Sequence, residues 1–444
     1  MQKRLKTIYI AAPAALVTVA AIVLAMMYFQ GFFYHRRNLE KGTAAASADI
    51  LVLSDSSKAE SSDMLTRTKS LLKTGTSTSP FAAAWYALPG STKSVPALQS
   101  EYILASDQVQ LLRCYIAEGD RDSAAALADA IDKNFTDTDG YLIPYLKVSE
   151  IKSLSAPQPV FDLHPDYDEL PYASGISMEA TSGYLRALLE YYSKWGLASD
   201  WTRIEELASR IYSADASFTE DLTIEIATPT PLPTGEGQDI VSSAEGETSQ
   251  GGPLSMVTLS SLDLEVFRML SSVDSKYQPM YDKALEIISG GYISSSLPLY
   301  AMGYTQSTGG YVYVTGGTNE VDLVSSLKVI LHLAEEGQAS PSSLLWLKGQ
   351  LYNEGALYRT YDVISGQAVS EDECEEAYGL VLQIAAASGD ANLYSAALNS
   401  IEYHLATSTT SKALGAVYRQ LDSTRVVVYA VDNLDAYLGL KAGV

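Results

Sequence analysis

Residues of the types that form thiol or metal centres are few in this chain of 444 residues. The two cysteines, Cys114 and Cys374, form no Cys-x-x-Cys pair, which excludes zinc-ribbon and thioredoxin-like sites. They either pair in an oxidising compartment or stay as buried thiols. The four histidines show no metal-ligand spacing such as His-Glu-x-x-His. We therefore expect no metal and no cofactor.

Acidic and tyrosine side chains are abundant instead. The formal net charge is −23, and thirty tyrosines stand beside four tryptophans. The acidic balance argues against nucleic acid as a partner, because phosphates need Lys and Arg to neutralise them. Tyrosine joins a flat apolar face to a polar tip, which suits sugar stacking and equally suits interface packing. The acidic loop at residues 161–175 lacks EF-hand spacing and is expected to be solvated.

An amphipathic helix, a polar turn and a second helix recur along most of the chain. In residues 106–135, apolar side chains have helical spacing on both sides of a turn at Gly119. Further pairs are predicted with turns at Gly196, near Asp274, at Gly337 and at Gly389, and a sixth pair over residues 411–440. Because short turns force neighbouring helices to run antiparallel, we expect an all-α array of about six hairpins.

The spacing of the predicted turns indicates a closed array. It is uneven, whereas a tetratricopeptide solenoid repeats about every 34 residues. Long connections between hairpins are typical of a toroid that carries its function on loops at one end. The best strand candidate is residues 311–314. Residues 228–255 are rich in Pro, Gly, Ser and Thr, and we expect a disordered insertion there.

Three segments of the chain resemble glycoside hydrolase family 8, one of the six-hairpin glycosidase families. These segments are Ser106-Asp107-Gln108 with Gly119-Asp120 and Asp139-Gly140; Met178-Glu179-Ala180-Thr181 with Trp195-Gly196; and Val321-Asp322-Leu323 after a long loop. The likeness covers roughly residues 95–440. It implies an (α/α)6 barrel, a six-hairpin toroid. The uncharged residues 7–34 add one N-terminal transmembrane helix in front of this barrel.

The resemblance also implies a chemistry, namely hydrolysis of a β-linked polysaccharide by two carboxyl groups. It places the general acid at Asp107, the general base at Asp322 and a sugar-binding carboxylate at Glu179. An inverting enzyme holds its acid and base about 6.5–9.5 Å apart to leave room for a water molecule. The aromatic residues that either stack on the sugar or belong to the core are Tyr141, Tyr145 and Trp195.

The chain departs from the family pattern at the acid position and three residues after the base. Asp107 stands where the family has Glu, and Ser325 stands where the family has Arg. A displacement of about 1 Å can cost roughly 100-fold in rate. Capping and the helix dipole also favour acidic residues at these helix starts. The alternatives to a hydrolase are an inactive polysaccharide-binding or scaffold barrel and a helical-repeat protein-interaction module.

The N-terminal region predicts attachment to a membrane. Residues 7–34 carry no charge and are flanked by basic residues, and about 20 apolar residues suffice to cross a bilayer. We expect an uncleaved signal anchor with residues 1–6 inside the cell, although a cleaved signal peptide is the alternative. A stalk over 35–58 and an extracytoplasmic domain over 59–444 would follow. Exopolysaccharide machinery is a candidate partner.

Overall fold

The computed structural model describes residues 36–42, 51–75, 81–89, 98–100, 102–147, 175–225, 253–313, 320–369, 371–409, 411, 413–420 and 425–444. The predicted membrane anchor, most of the acidic loop and most of the predicted disordered insertion lie outside these ranges. Within them, no helix combines the length and the apolar character that crossing a membrane requires.

α-Helices make up most of the described chain, and the first five predicted pairs are present. They are α1 (Asp55–Gly75), α2 (Ala105–Glu118), α3 (Arg121–Phe135), α4 (Met178–Trp195), α5 (Ala198–Ile211), α6 (Leu264–Val273), α7 (Gln278–Gly290), α8 (Leu323–Glu335), α9 (Pro341–Gly349), α10 (Glu375–Ser388), α11 (Ala391–His404) and α12 (Ala430–Ala442). Gly119, Gly337 and Gly389 sit in the turns with φ of 81°, 69° and 67°. Glycine adopts this left-handed conformation without steric cost, so these turn predictions are confirmed.

Every second helix belongs to a closed inner ring. Helices α2, α4, α6, α8, α10 and α12 pack on one another in that order, and α12 packs back against α2. The intervening helices return the chain on the outside, so all six inner helices point the same way. This arrangement is the expected (α/α)6 barrel, and its core lies between the two rings.

The sixth hairpin differs from the prediction. The outer partner of α12 is α1, from the other end of the chain, and not a helix within residues 411–440. Residues Arg425–Tyr429 instead form a strand, because their β-branched run pairs along Trp85–Pro89. The first and last helices therefore close the barrel together.

Short antiparallel strands occupy the connections between helices. They are β1 (Trp85–Pro89), β2 (Leu98–Gln99), β3 (Tyr102–Leu104), β4 (Tyr145–Lys147), β5 (Leu222–Glu225), β6 (Pro253–Thr258), β7 (Gly303–Thr305), β8 (Gly310–Val312), β9 (Glu320–Asp322), β10 (Thr360–Asp362), β11 (Arg419–Gln420) and β12 (Arg425–Tyr429). Two sheets have the orders β11-β12-β1-β2 and β5-β6-β7-β8, and β3–β4 and β9–β10 form separate pairs. Strand β8 confirms the strand predicted from residue 311, whereas β6 shows that residues 253–255 of the predicted disordered insertion are ordered.

The predicted stalk also needs correction, because its described residues pack on the barrel. The Arg37 N–H donates to the Tyr192 hydroxyl at 2.9 Å. The Gly42 N–H donates to the Glu265 carboxylate at 2.7 Å. Helix α1 begins at Asp55, before the predicted end of the stalk. Polar composition suggested a solvated spacer here, but backbone hydrogen bonds to two inner helices fix residues 36–42 in place.

Helices α10 and α12 approach each other closely at Gly379, and this contact predicts the effect of a substitution on stability. A Cβ atom on Gly379 would lie 2.4 Å from the backbone N of Ala436. We expect Gly379→Ala to lower the free energy of unfolding by about 1–3 kcal/mol, because this backbone cannot yield as a side-chain end would. Gly349→Ala is the matched control, since the nearest atom to its new Cβ is 3.8 Å away. Urea unfolding should find this control neutral or more stable by up to about 1 kcal/mol.

Candidate active site

Carboxyl groups gather at one end of the barrel. Acidic residues are favoured in the first turns of helices, and the six inner helices all begin at the same end. The acidic side chains at the N-terminal ends of α2, α4, α6, α8, α10 and α12 are Asp107, Glu179, Asp263, Asp322, Glu375, Glu376, Asp432 and Asp435. Each position is locally ordinary for a helix start, but the barrel brings them into one acidic mouth.

A cavity of about 350 Å³ lies within this mouth and brings three predicted site residues together. Asp107, Asp322 and Glu179 all line it. The polar and charged side chains that line it with them are Ser106, Gln110, Arg113, Ser182, Arg186, Ser260, Asp263, Ser325, Lys328, His332, Arg359, Glu376 and Asp435.

Asp107 lies in surroundings that favour its protonated form. Its residue is only 1% exposed, and neither carboxyl oxygen has a hydrogen-bond partner within the described ranges. Burial raises the pKa of the Asp107 carboxyl well above its usual range, and the nearby charges of Glu376 and Asp435 act in the same direction. A protonated carboxyl group of this kind can donate a proton to a leaving oxygen.

Asp322 is positioned as a hydrogen-bond acceptor. It is the N-cap of α8, and its carboxylate accepts the Ser325 N–H at 2.7 Å. Strand β9 places it opposite Thr360. The Leu323 N–H donates to the Arg359 carbonyl at 2.9 Å, which ties the start of α8 to strand β10. The Arg359 side chain lines the same cavity, so a cation is present on the side of the predicted base although Ser325 replaces the family's arginine.

Glu179 does not face the cavity alone, because Lys328 is bound to it. The Lys328 ammonium donates to the Glu179 carboxylate at 2.8 Å and lies 3.7 Å from Glu376. The Ser260 hydroxyl donates to the other Glu179 oxygen at 2.7 Å. Burial opposes ionisation of Glu179, but Lys328 and Ser260 outweigh it and lower its pKa. The sequence analysis missed Lys328. The feature that could have indicated it is a single cationic residue within the largely apolar sequence of α8.

The three predicted stacking residues lie outside the cavity lining. Trp195 ends α4, a helix of 18 residues that starts at the mouth, so it sits about 25 Å away at the other end. The Tyr141 hydroxyl donates to the Arg210 carbonyl at 3.1 Å, behind the inner ring. Tyr145 lies in β4 and packs edge-to-face on Tyr102 with ring centroids 5.5 Å apart. Within the described chain, no aromatic side chain lines this cavity.

A buried ion-pair cluster supports the floor of the cavity. Arg186 donates to Glu335 at 2.8 Å, to Glu190 at 3.1 Å and to Asp263 at 3.4 Å. His332 Nε2 lies 3.1 Å from the Ser260 carbonyl, which can only accept, so this nitrogen carries the hydrogen. Asp263, His332 and Glu335 are close enough to one another to hold a cation. Arg186 is already bound to both carboxylates, so we interpret this as a structural cluster.

Glu376 gives a pH-dependence prediction. Burial raises its pKa to about 7, and Asp435 and Asp432 act in the same direction against the charge of Lys328. Since the folded pKa exceeds the unfolded one, the folded state binds more protons, and stability falls as pH rises from about 4.5 through about 7. Glu376→Gln should remove this share of the slope. Urea titrations at pH 5 and pH 8 measure the free energy of unfolding of both proteins. The variant minus wild-type difference should be about 1–3 kcal/mol more favourable to the variant at pH 8 than at pH 5. An equal difference at both pH values would contradict the assignment.

The two cysteines take no part in the cavity lining. Cys114 and Cys374 are both free and buried. Burial raises the pKa of the Cys374 thiol to about 12. The sequence left open whether the two cysteines form a disulfide or stay as buried thiols, and in the structure they are buried thiols.

Three solved structures with similar architecture are described as glycoside hydrolases. A protein from Clostridium perfringens described as a novel alpha-amylase has 19% sequence identity and a TM-score of 0.62, covering 86% of this chain and 97% of its own. A GH8 xylobiose complex from Teredinibacter turnerae has 10% identity and a TM-score of 0.52, covering 91% and 97%. A GH8 endo-beta-1,4-glucanase from an Achatina fulica gut metagenomic library has 12% identity and a TM-score of 0.50, covering 84% and 96%.

These likenesses establish the fold of the chain. No protein-family model and no curated protein sequence matches it. The chain has the six-hairpin glycosidase fold in its GH8-like form, which confirms the resemblance seen in the sequence.

Proposed function

We propose that the chain is an inverting glycosidase that hydrolyses a polysaccharide, with Asp107 as general acid and Asp322 as general base. The observation that carries this proposal is the placement of two different carboxyl groups in one cavity. Asp107 is buried, with its pKa raised. Asp322 is partly exposed and accepts a backbone N–H. Inverting hydrolysis needs this division between a proton donor and a group that activates water.

The other polar residues of the cavity would bind the sugar. Glu179 and Lys328 form a charged pair, and hydrogen bonds to charged groups are stronger than neutral ones. Sugar hydroxyls both donate and accept, so they can bond to either member of the pair. Arg359 lies beside the predicted base, where it would help to fix a bound sugar or water near Asp322.

The substrate class is a polysaccharide, and the β-linked class is the first to test. Two of the similar structures carry GH8 in their titles, one as an endo-beta-1,4-glucanase and one with bound xylobiose. The alpha-amylase title of a third adds α-glucans to the substrates that need testing.

Release of reducing ends tests the proposed hydrolysis. The full chain is incubated with mixed-linkage β-glucan, xylan, chitosan and starch, beside a double variant with Asp107→Asn and Asp322→Asn. We expect release from one substrate by the wild type and none by the double variant. Equal release by both proteins would remove these residues from catalysis. The absence of release from every substrate would overturn the proposed hydrolysis.

A barrel that binds polysaccharide without cleaving it is the second candidate. Lys328 favours it, because the ammonium lies between two of the cavity carboxylates, Glu179 and Glu376. Retardation in gels that contain the polysaccharide distinguishes the candidates. Retardation without release of reducing ends would support the binding barrel.

We further propose that the chain works outside the cytoplasm, anchored to the cell membrane by residues 7–34. The support is the uncharged sequence of this segment and the basic residues around it. Protease added to intact cells that express the full chain should degrade the domain. Degradation only after the cells are lysed would contradict this location.

A further inference from the structure

A second cavity of about 350 Å³ lies on the outer surface of the barrel, and we name it the rim pocket. Its lining comes from the end of α11, the segment after α9 and the residue that precedes Cys374 and α10. The side chains that define the rim pocket are Tyr352, Glu373, Asn399, Ser400, Tyr403 and His404. The proposed hydrolysis uses none of them.

Two tyrosine rings of the rim pocket are unusually exposed. Tyr403 is 83% exposed and Tyr352 is 62% exposed, although tyrosines such as Tyr361, Tyr378 and Tyr394 are almost fully buried. One exposed ring is ordinary, but two that line the same pocket beside polar groups are typical of a ligand-binding surface.

Both exposed rings are held in place by neighbouring groups. The Tyr352 hydroxyl donates to the Asn392 carbonyl at 3.1 Å. The Tyr403 ring packs edge-to-face on His404, with centroids 5.2 Å apart and an interplanar angle of 80°. His404 in turn stacks on Tyr378 at 5.7 Å. Rings fixed in this way lose little conformational freedom when a ligand binds, so the rim pocket is pre-organised.

The carboxylate of the rim pocket has hydrogen-bonding partners. His404 Nε2 lies 3.0 Å from the Glu373 carboxylate, and the Tyr378 hydroxyl donates to the same oxygen. The chain as a whole has a net charge of −23, which disfavours an anionic ligand at this surface. A neutral ligand that offers hydroxyl groups and flat apolar faces matches it, and sugar rings have both.

The rim pocket and the central cavity both have lining residues at the N-terminal end of α10. Glu373 lines the rim pocket, and Glu376, three residues later, lines the central cavity. Glu375, between them, has an oxygen 3.9 Å from His404 Nδ1. A single polymer chain could therefore reach both places over the N-terminal end of α10.

We propose that the rim pocket is a second binding site for a neutral polysaccharide, which stacks on Tyr352 and Tyr403 and extends toward the central cavity. The proposal shares the ligand class of the proposed function but does not depend on hydrolysis. The site raises affinity for long chains and contributes nothing to the cleavage of short ones.

Retardation in gels that contain mixed-linkage β-glucan, xylan or glycogen tests this proposal. The full chain is compared with Tyr403→Ala, with Tyr352→Ala and with their double variant. Each single variant should weaken retardation about fivefold, the loss expected for one aromatic contact, and the double variant should weaken it further. Tyr403→Trp should retain it, because the substitution keeps an aromatic face. Leu345→Ala removes another exposed apolar side chain, 69% exposed, and should change nothing.

The outcomes separate this site from the central cavity. The double variant with Asp107→Asn and Asp322→Asn should be retarded like the wild type, so lost hydrolysis does not affect the result. Isothermal titration with a trisaccharide of the same sugar should give equal affinities for the wild type and the double tyrosine variant. Unchanged retardation of the tyrosine variants would overturn the proposal. So would retardation of the wild type by none of the three polymers, or an equal loss for Leu345→Ala, which would indicate a non-specific surface effect.

Discussion

Asp107→Asn is expected to abolish hydrolysis while leaving the fold intact. Asparagine has the shape of a carboxyl group, but it has no acidic proton to give. A general acid contributes about 10²–10⁴ to the rate, so kcat should fall by about 10³. The free energy of unfolding should be higher than that of the wild type at neutral pH, and this gain should shrink as the pH falls toward about 4, because Asp107 ionises in the unfolded chain while burial opposes its ionisation in the folded one.

Asp322→Asn is the companion variant for the base. Asparagine caps a helix as well as aspartate does, so the hydrogen bond from Ser325 should survive. The expected loss in kcat is again about 10³. Asp282→Asn is the matched control, since this residue lies on outer helix α7 and interacts with Gln278. Kinetics on the cleaved polysaccharide and urea unfolding are measured for all three. Activity retained in either catalytic variant would contradict its role.

Arg186→Met should produce the largest loss of stability. The substitution leaves Glu335, Asp263 and Glu190 without the cation to which all three are bound. Removing one partner of a buried ion pair costs about 3–5 kcal/mol, because the remaining charge is desolvated and uncompensated. Urea unfolding should show this loss in the free energy of unfolding. A second substitution, Glu335→Met, should restore part of it.

Lys283→Met provides the control for this effect. Lys283 pairs with Glu286 at 3.0 Å on an outer helix, with side-chain exposures of 35% and 69%. Exposed pairs contribute only about 0–1 kcal/mol, so this variant should unfold almost like the wild type. Similar losses in the free energy of unfolding for Lys283→Met and Arg186→Met would show that burial does not determine how much the Arg186 ion pairs contribute to stability.

The helical hairpins were predictable because their signal is local. Apolar spacing and a turn glycine such as Gly119 or Gly389 lie within a few residues of one another. The sixth hairpin was not predictable in this way, because α1 and α12 come from opposite ends of the chain. The order of the hairpins and the closed ring therefore followed from the sequence, whereas the pairing of α1 with α12 did not.

The candidate site divides in the same manner. Asp107 and Asp322 were found through sequence patterns at helix starts, and the barrel brings them into one cavity. Lys328 and Arg186 read as ordinary charges within helices, and only the ring reveals the carboxylates that surround them. Tyrosine abundance suggested sugar stacking, but composition could not separate buried rings from exposed ones. The sequence analysis therefore selected Tyr141, Tyr145 and Trp195 as candidates for sugar stacking. Among the described tyrosines, Tyr352 and Tyr403 have the exposed rings.

The anomeric form of the first product tests the central claim most directly. Proton NMR of a cleaved β-linked oligosaccharide distinguishes α and β reducing ends before they interconvert. The account predicts that the α-anomer forms first, because Asp107 protonates the leaving oxygen while Asp322 activates water on the opposite face. Initial formation of the β-anomer would mean retention through a covalent intermediate, and would contradict the roles given to these two carboxyl groups.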